Sequence, residues 1–352
     1  MESSADQGDG VGSRSRVPSS YEFPPFRPFP LFPGGHAQTI AGVYVPHQRI
    51  RYEAVTHELA LPDGDRTLLH DDCPATWGPG DPCVLLLHGL GGCHRSPYMV
   101  RASSKLKARS YRAFRLDLRG HGAAWQMARS PGHAGRSEDA LAALTKVLEL
   151  APQSPIVVAG VSMGGNILLK MLGELAATVS RQVRGALIIS PPIDLACCSR
   201  HLRDHSLRIY ARTFLRSLMQ QFRQRQQLFA ELKKIELPAR LESVWQFDDL
   251  VTAPLSGYRD AQDYYERCSS APRLQDIHVP TTILAAADDP LIPVAMFSDW
   301  ELGPCVRVHV TDHGGHIGYL GSSGSDPDRR WLDWRVLEFV EWQVAGYHKQ
   351  PT

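Results

Sequence analysis

Residues 156–165 read IVVAGVSMGG, and this stretch decides the class of fold. Residues 156–159 form a short apolar run of the kind found in buried parallel strands. The turn from Gly160 to Gly165 then leads into a segment with apolar residues at helical spacing, namely Ile167, Leu168, Leu169 and Leu172. The pattern therefore predicts a strand, a tight turn and a helix.

The same alternation of strand and helix extends along most of the chain. Apolar runs predict strands at 84–87, 111–118, 156–159, 186–189, 282–285 and 306–310. Helical periodicity is found at 97–109, 137–150, 164–179 and 330–347. Alternating strands and helices predict an α/β fold with a mostly parallel, doubly wound sheet and helices on both faces. Residues 55–60 and 66–70, on either side of a Pro-Asp-Gly turn, predict an antiparallel hairpin at the sheet edge.

One long interval interrupts this alternation. About ninety residues separate the strand ending near 190 from the strand starting near 281, far more than an ordinary connection. The interval is rich in Arg, Gln, Leu and Phe, so we expect it to be helical. We predict a cap insertion at about 192–275 within a single α/β domain at 51–350. One of its helical faces carries Phe214, Leu215, Leu218, Phe222 and Phe229.

The N-terminal part of the chain has a different composition. Residues 1–20 are rich in Ser, Gly, Asp and Arg, which predicts a disordered leader. The next stretch, YEFPPFRPFPLFP (21–33), has too many prolines for a helix. We expect an arm at 21–50 to pack on the domain through aromatic side chains, namely Phe23, Phe26, Phe29 and Phe32. A second interpretation makes Pro25 to Pro28 a ligand for a proline-binding module.

Composition excludes several classes of protein. The 352 residues include 38 Lys+Arg and 37 Asp+Glu, and this net charge of +1 argues against a nucleic-acid partner. No run of eighteen apolar residues predicts a membrane span, although peripheral membrane contact stays open. The opening sequence MESSADQGDG lacks the basic and apolar regions of a secretory signal. Seven scattered cysteines without a CxxC pair favour reduced thiols, so we expect a cytoplasmic protein.

The GxSxG pattern at 160–164 is typical of a nucleophile elbow when it lies between a strand and a helix. Such a turn holds its serine in a strained backbone conformation, so the residues two positions away must lack side chains. Gly160 and Gly164 meet this requirement, and Gly165 lets the helix approach the sheet. We therefore predict that Ser162 is a nucleophile.

A serine nucleophile needs a base and a group that orients the base. Both are expected where strands end at the carboxyl edge of the sheet. Two segments occur there, AADDPLIP (286–293) and DHGGH (312–316). We predict that His316 is the base and Asp289 its orienting acid, with Asp288 bracing the loop. His313 is expected to be a loop residue.

The segment HGLGG (88–92) directly follows a predicted strand. Its glycines allow a tight loop, and we predict that the backbone N–H groups of Leu90 and Met163 form an oxyanion hole. A phosphate-binding loop is the alternative, but the GxxxxGK[ST] pattern is missing.

A metal site is a further alternative for the C-terminal histidines. His309, His313 and His316 could be drawn as three zinc ligands near Asp312. Strand side chains alternate in direction, however, and a metal would leave the serine elbow unexplained. We therefore predict neither a metal nor another cofactor.

Several longer motifs resemble those of a known family. They are GHAQTI (35–40), SPY (96–98), RGHG (119–122), GHAGRSED (132–139), FD (247–248), GY (257–258), YY (264–265), Ser269, DD (288–289) and HGGHIGY (313–319). Together with the elbow they resemble the YheT-like group (AB hydrolase 4 family) of the α/β-hydrolase superfamily, over roughly residues 23–345. The resemblance implies an α/β-hydrolase fold, a triad at Ser162, Asp289 and His316, and carboxylic-ester hydrolysis.

These observations lead to three functional hypotheses. The first is a serine hydrolase that cleaves small-molecule carboxylic esters through an acyl-enzyme. The second is an acylglycerol lipase or phospholipase acting on lipid esters. The third is a non-catalytic ligand-binding protein on a hydrolase scaffold, since a fold does not determine function.

Overall fold

The computed structural model describes residues 21–46, 50, 53–238 and 240–345, so the predicted leader at 1–20 lies outside the described residues. The strands are β1 (Val55–Ala60), β2 (Arg66–Asp72), β3 (Cys83–Leu87), β4 (Arg112–Leu116), β5 (Ile156–Val161), β6 (Val183–Ile189), β7 (Thr281–Ala286) and β8 (Val306–Thr311). The helices are α1 (Gly35–Tyr44), α2 (Pro97–Ala108), α3 (Ser137–Leu150), α4 (Met163–Leu175), α5 (Leu195–His201), α6 (Arg208–Leu228), α7 (Val244–Phe247), α8 (Ala253–Leu255), α9 (Ala261–Cys268) and α10 (Trp331–Ala345).

These strands form one eight-stranded sheet with the order β1-β2-β4-β3-β5-β6-β7-β8. The two pairs that include β2 are antiparallel, and the other five pairs are parallel. The predicted mostly parallel sheet is therefore confirmed, and β1 and β2 form the predicted hairpin at its edge.

The sheet is buried on both faces because its strands alternate between two cores. In β5, Ile156 and Val158 pack with α3 and α4, whereas Val157 and Ala159 pack with α2 and α10. This alternation follows from the two-residue period of a strand. Burial on both faces explains why the central strands are continuous apolar runs. The strand order, in turn, places β5 near the middle of the sheet.

Helix α1 is an element that the sequence did not predict. It begins two residues after Pro33 and lies within the segment 21–50 that we interpreted as an arm. Its stability depends on distant partners: the Gln38 amide nitrogen donates to Phe32 O (2.7 Å) and Leu320 O (3.1 Å), and its oxygen accepts from Leu320 N (2.7 Å). Amphipathic periodicity could not reveal a helix that is held by such a buried amide.

The segment before α1 packs on the domain through its aromatic residues. Phe23 is only 7% exposed, and its ring lies 4.8 Å from that of His309. Phe26 packs edge-on against Tyr319 and Trp331. In addition, the Tyr21 hydroxyl donates to the Glu338 carboxylate at 2.6 Å. These contacts tie residues 21–26 to β8 and α10.

Between β6 and β7, the chain forms helices α5 to α9 in the segment 192–275, called here the insertion segment. The apolar face of α6 divides between two environments. Phe214 and Leu218 line a cavity, whereas Phe222 belongs to a separate small core with Leu241, Phe247 and Val251. Within the described residues, no helix is both long and apolar enough to cross a membrane.

We expect Phe23→Ala to lower the free energy of unfolding by about 3–5 kcal/mol, because the substitution leaves a cavity between β8 and α10. Urea denaturation would measure this change. Leu31→Ala is the matched control, since Leu31 is 72% exposed and its truncation should cost less than about 0.5 kcal/mol. Equal, small effects of both substitutions would contradict the proposed anchoring role of Phe23.

Candidate active site

The site is built around the backbone of Ser162, which connects β5 to α4. Its φ of 51° and ψ of −121° lie outside the regions that residues with a side chain normally adopt. The Ser162 N–H donates to Ile189 O at 2.8 Å, which ties the turn to the end of β6. Strain of this kind persists only where the surrounding structure enforces it, and it is typical of functional sites.

Three glycines allow the turn to pack this closely. A Cβ atom on Gly160 would lie 2.7 Å from Gly164 O, and one on Gly164 would lie 2.5 Å from His88 O. A Cβ atom on Gly165 would lie 2.9 Å from the Ile188 side chain. The absence of side chains at these positions lets α4 and the loop after β3 approach the turn.

The structure brings three predicted site residues into one hydrogen-bonded chain. His316 Nε2 lies 3.0 Å from Ser162 Oγ, and His316 Nδ1 lies 2.9 Å from Asp289 Oδ2. The other carboxylate oxygen of Asp289 accepts from the backbone N–H groups of Leu291 (2.8 Å) and Ile292 (3.1 Å). Asp289 is thus held from both sides, and the imidazole lies between acid and serine.

The neighbouring carboxylate has different partners. Asp288 Oδ1 accepts from Gly315 N at 2.8 Å, and its Oδ2 lies 3.2 Å from His313 Nδ1. His309 instead packs against the ring of Phe23. The histidines of the alternative zinc site therefore have separate partners and do not converge on one point.

Helix α1 supports the histidine loop from outside the sheet. The His316 N–H donates to Thr39 Oγ1 at 2.8 Å, and the Thr39 hydroxyl donates to Gly35 O at 2.7 Å. A Cβ atom on Gly35 would overlap the carbonyl oxygen of Asp288, so α1 touches both loops that carry the acid and the histidine. The GHAQTI motif contained these residues, but its spacing indicated no role for them.

The loop after β3 lies directly beside the serine. A Cβ atom on Gly89 would approach Ser162 Cβ to 3.1 Å, and Gly91 has a φ of 71°. The Gly89 N–H is already engaged with the Tyr98 hydroxyl at 3.0 Å. Leu90 and Met163, the predicted oxyanion residues, line the same cavity as Ser162 and His316.

His88, whose side chain is neutral, holds the loop after β3 in place. Burial, with a contribution from the nearby His121, lowers the pKa of His88 to about 3. Its Nε2 accepts from Leu118 N at 3.1 Å, so the proton resides on Nδ1, which donates to Gly89 O at 2.8 Å. The sequence motif showed a histidine here but not this bridge between the ends of β3 and β4.

Asp117 forms a buried network behind the loop. Burial alone would raise its pKa, but hydrogen bonds from His70 and His94 outweigh that effect and hold the pKa far below its usual range. Backbone N–H groups of His94 (2.7 Å) and Ala123 (2.9 Å) also donate to the carboxylate. The side chains of His70, His94 and Asp117 lie close enough together to hold a metal ion. Because protein donors already occupy both carboxylate oxygens, the arrangement fits a hydrogen-bond network better.

A cavity opens from the serine and runs beneath the insertion segment. The space inside it that a water-sized sphere can reach has a volume of about 130 Å³. Much of its wall is apolar, and part comes from helix α6. A polar group of residues also lines it, namely His133, Ser199, Asp248, Thr252, Tyr264 and Tyr265. Sequence reasoning assigned no role to any of them.

Comparisons with known proteins agree with this architecture. Residues 82–322 match the family described as the alpha/beta hydrolase fold. The chain is 32% identical to the putative esterase YheT of Escherichia coli K12, over 92% of this chain and 94% of that protein. It is 29% identical to the mouse phospholipase ABHD3, over 76% of this chain and 65% of that protein.

A solved structure shows the same fold at lower sequence identity. The Pyrococcus furiosus esterase Pf2001 superposes with a TM-score of 0.53 and 17% identity, covering 85% of this chain and 98% of that one. The sheet order, the strained serine turn and the extent of the similarity to YheT lead to one conclusion. The chain belongs to the α/β-hydrolase family, within its YheT-like group.

Proposed function

We propose that this protein is a serine hydrolase that cleaves carboxylic esters through an acyl-enzyme. The observation that carries the proposal is the continuous contact from Asp289 through His316 to Ser162 Oγ on a strained turn. A neutral hydroxyl is a weak nucleophile, and an oriented imidazole at 3.0 Å is the group that activates it. The family relationship to proteins named as an esterase and a phospholipase supports the same reaction class.

The proposed reaction has two halves. Ser162 Oγ attacks the ester carbonyl carbon while His316 Nε2 takes the hydroxyl proton, and Asp289 stabilises the resulting imidazolium. The N–H groups of Leu90 and Met163 bind the oxyanion. The C–O bond to the alcohol then breaks, and His316 returns the proton to the leaving oxygen. Water, deprotonated by His316, then attacks the acyl carbon, and the bond from that carbon to Ser162 Oγ breaks. His316 returns the proton to Ser162 Oγ as the acid leaves.

A lipid ester is the second candidate substrate. We propose that the insertion segment is a cap over the cavity, because Phe214 and Leu218 contribute to the cavity wall. Helix α6 also exposes four arginines and contains no acidic residue: Arg208, Arg212, Arg216 and Arg223. Such a basic surface favours peripheral contact with an anionic lipid layer.

The proposed location is the cytoplasm. All seven cysteines, each within the described residues, are free. Free thiols are typical of a reducing compartment.

We expect Ser162→Ala to reduce kcat for p-nitrophenyl acetate by on the order of 10⁴-fold, because the nucleophile is lost. The fold should persist, since removal of one hydroxyl leaves almost no cavity. Labelling with a fluorophosphonate probe and circular dichroism would check both points. Residual activity within tenfold of the wild type would rule out the serine mechanism, and an unlabelled wild-type protein would favour a non-catalytic binding role.

The two adjacent carboxylates provide a matched pair of variants. We expect Asp289→Asn to lower kcat on the order of 10⁴-fold, because the amide cannot hold the required His316 tautomer. Asp288→Asn should keep most activity, since its amide oxygen can still accept from Gly315 N. Steady-state kinetics of both variants would test the assignment, and the reverse order of losses would assign the acid to Asp288.

Cavity-lining residues of α6 should set the preferred ester length. We expect Leu218→Ala to shift the highest kcat/KM among p-nitrophenyl esters toward longer acyl chains, because it enlarges the cavity. Turnover of the acetate ester should survive. Ile209→Ala is the control on the same helix, since Ile209 is 73% exposed and does not line the cavity. An unchanged chain-length profile for Leu218→Ala would remove α6 from the specificity determinants.

A further inference from the structure

Among the described residues that line the cavity, one acidic side chain has no role in the proposed mechanism. Asp248 is 7% exposed and lines the same cavity as Ser162 and His316. It begins a π-helical turn, Asp248–Thr252, between α7 and α8. Such turns are rare and occur frequently at functional sites. Its position therefore calls for a physical explanation.

The Asp248 carboxylate is paired only with neutral donors. Its Oδ1 accepts from the Thr252 hydroxyl and its Oδ2 from the Tyr265 hydroxyl, each at 2.6 Å. Across the described residues, no Lys, Arg or His forms an ion pair with it. Burial raises its pKa to about 6, so the group is mostly ionised at pH 7.5. A buried charge without a counterion is costly to maintain.

His133, a basic residue of the same cavity wall, does not supply that counterion. Burial, aided by Arg136, Arg119 and Lys170, lowers the pKa of His133 far below its usual range. The Nδ1 atom of His133 accepts from Gly135 N at 3.1 Å, which agrees with a neutral ring. Neutral His133 therefore does not offset the negative charge of the Asp248 carboxylate.

Aromatic side chains also line the cavity, and one of them, Tyr265, contacts the Asp248 carboxylate through its hydroxyl. The rings of Tyr264 and Tyr265 lie 5.1 Å apart, and that of His133 lies 5.4 Å from Tyr264. Tyrosine faces attract cations, and cages of aromatic rings are a common means of binding quaternary ammonium groups. A carboxylate beside two such rings has the chemistry of a site for an organic cation.

We propose that Asp248, flanked by Tyr264 and Tyr265, binds a cationic ammonium group of the ester substrate. The inference rests on the proposed esterase function and identifies the class of ester that the cavity selects. The cation supplies the counterion that none of the described residues provides at this position. It also orients the ester relative to Ser162, which lines the same cavity.

Paired substrates that differ only in charge test this inference. Butyrylcholine and 3,3-dimethylbutyl butyrate carry a cation or its neutral isostere on the alcohol side. The p-nitrophenyl esters of 4-(trimethylammonio)butyrate and 5,5-dimethylhexanoate do the same on the acyl side. In the wild type we expect kcat/KM to favour the cationic member of at least one pair by about 10–100-fold, the size of effect a desolvated charge pair can provide.

The variant Asp248→Asn removes the charge but keeps the shape and one acceptor oxygen. We expect it to bring the ratio of kcat/KM for the cationic ester to kcat/KM for its neutral isostere close to one. Glu242→Gln is the matched control, because Glu242 is an exposed carboxylate in the same segment and does not line the cavity. It should keep the wild-type preference.

A wild-type measurement makes the test independent of how the variant folds. Choline should inhibit hydrolysis of a neutral ester at least about tenfold more strongly than 3,3-dimethyl-1-butanol, its neutral isostere. Equal inhibition, or equal rates within both substrate pairs, would overturn the cation site while leaving the esterase function intact. Failure of the wild type to cleave any of the four esters, including the neutral ones, would count against the esterase function itself.

A hydroxyl-bearing substrate is the competing interpretation of Asp248. A hydroxyl donor would be served by the amide oxygen of asparagine almost as well as by the carboxylate. Replacing the ammonium with a terminal hydroxyl in the butyrate series therefore separates the two. A preference of the wild type for the hydroxyl ester, retained in Asp248→Asn, would overturn the proposal.

Discussion

The backbone conformation of Ser162 is the constraint on which the site depends. A residue with a side chain is held at a φ of 51° only because β5, α4 and the end of β6 leave it no alternative. That geometry requires the glycines around it, and it requires the loop after β3 to lie against the turn. The strain in one residue is thus offset by the packing of the parallel sheet and the loops around it.

The buried polar groups around the serine form a second layer of organisation. Asp289 is held by two backbone N–H groups, and the histidine loop is held by Thr39 from helix α1. On the opposite side, His88 and Asp117 tie the ends of β3 and β4 together through hydrogen bonds. Each group would be costly to bury alone, so their mutual satisfaction keeps the loops in one arrangement.

The insertion segment supplies the part of the cavity wall that the sheet and its loops do not form. Its α6 helix contributes apolar side chains to the wall, whereas its π-helical turn places Asp248 in the same space. In the proposed function, reaction chemistry and substrate selection come from different parts of the chain. The serine, acid and histidine lie at the ends of sheet strands, whereas the insertion segment contributes other residues to the cavity wall.

Local patterns determined the fold class, because strand and helix periodicity and the spacing of glycines around Ser162 act over only a few residues. Chain order then indicated Asp289 and His316, and the structure places both within hydrogen-bonding distance of their neighbours, although their catalytic roles remain predictions. Helix α1, the Thr39 contact and the bridge through His88 could not be predicted. Each depends on partners far apart in sequence, such as Gln38 and Leu320, which only the folded chain brings together. The same holds for Asp248, because only the tertiary structure places its carboxylate in the cavity wall with hydroxyl partners and with no ion-pair partner among the described residues.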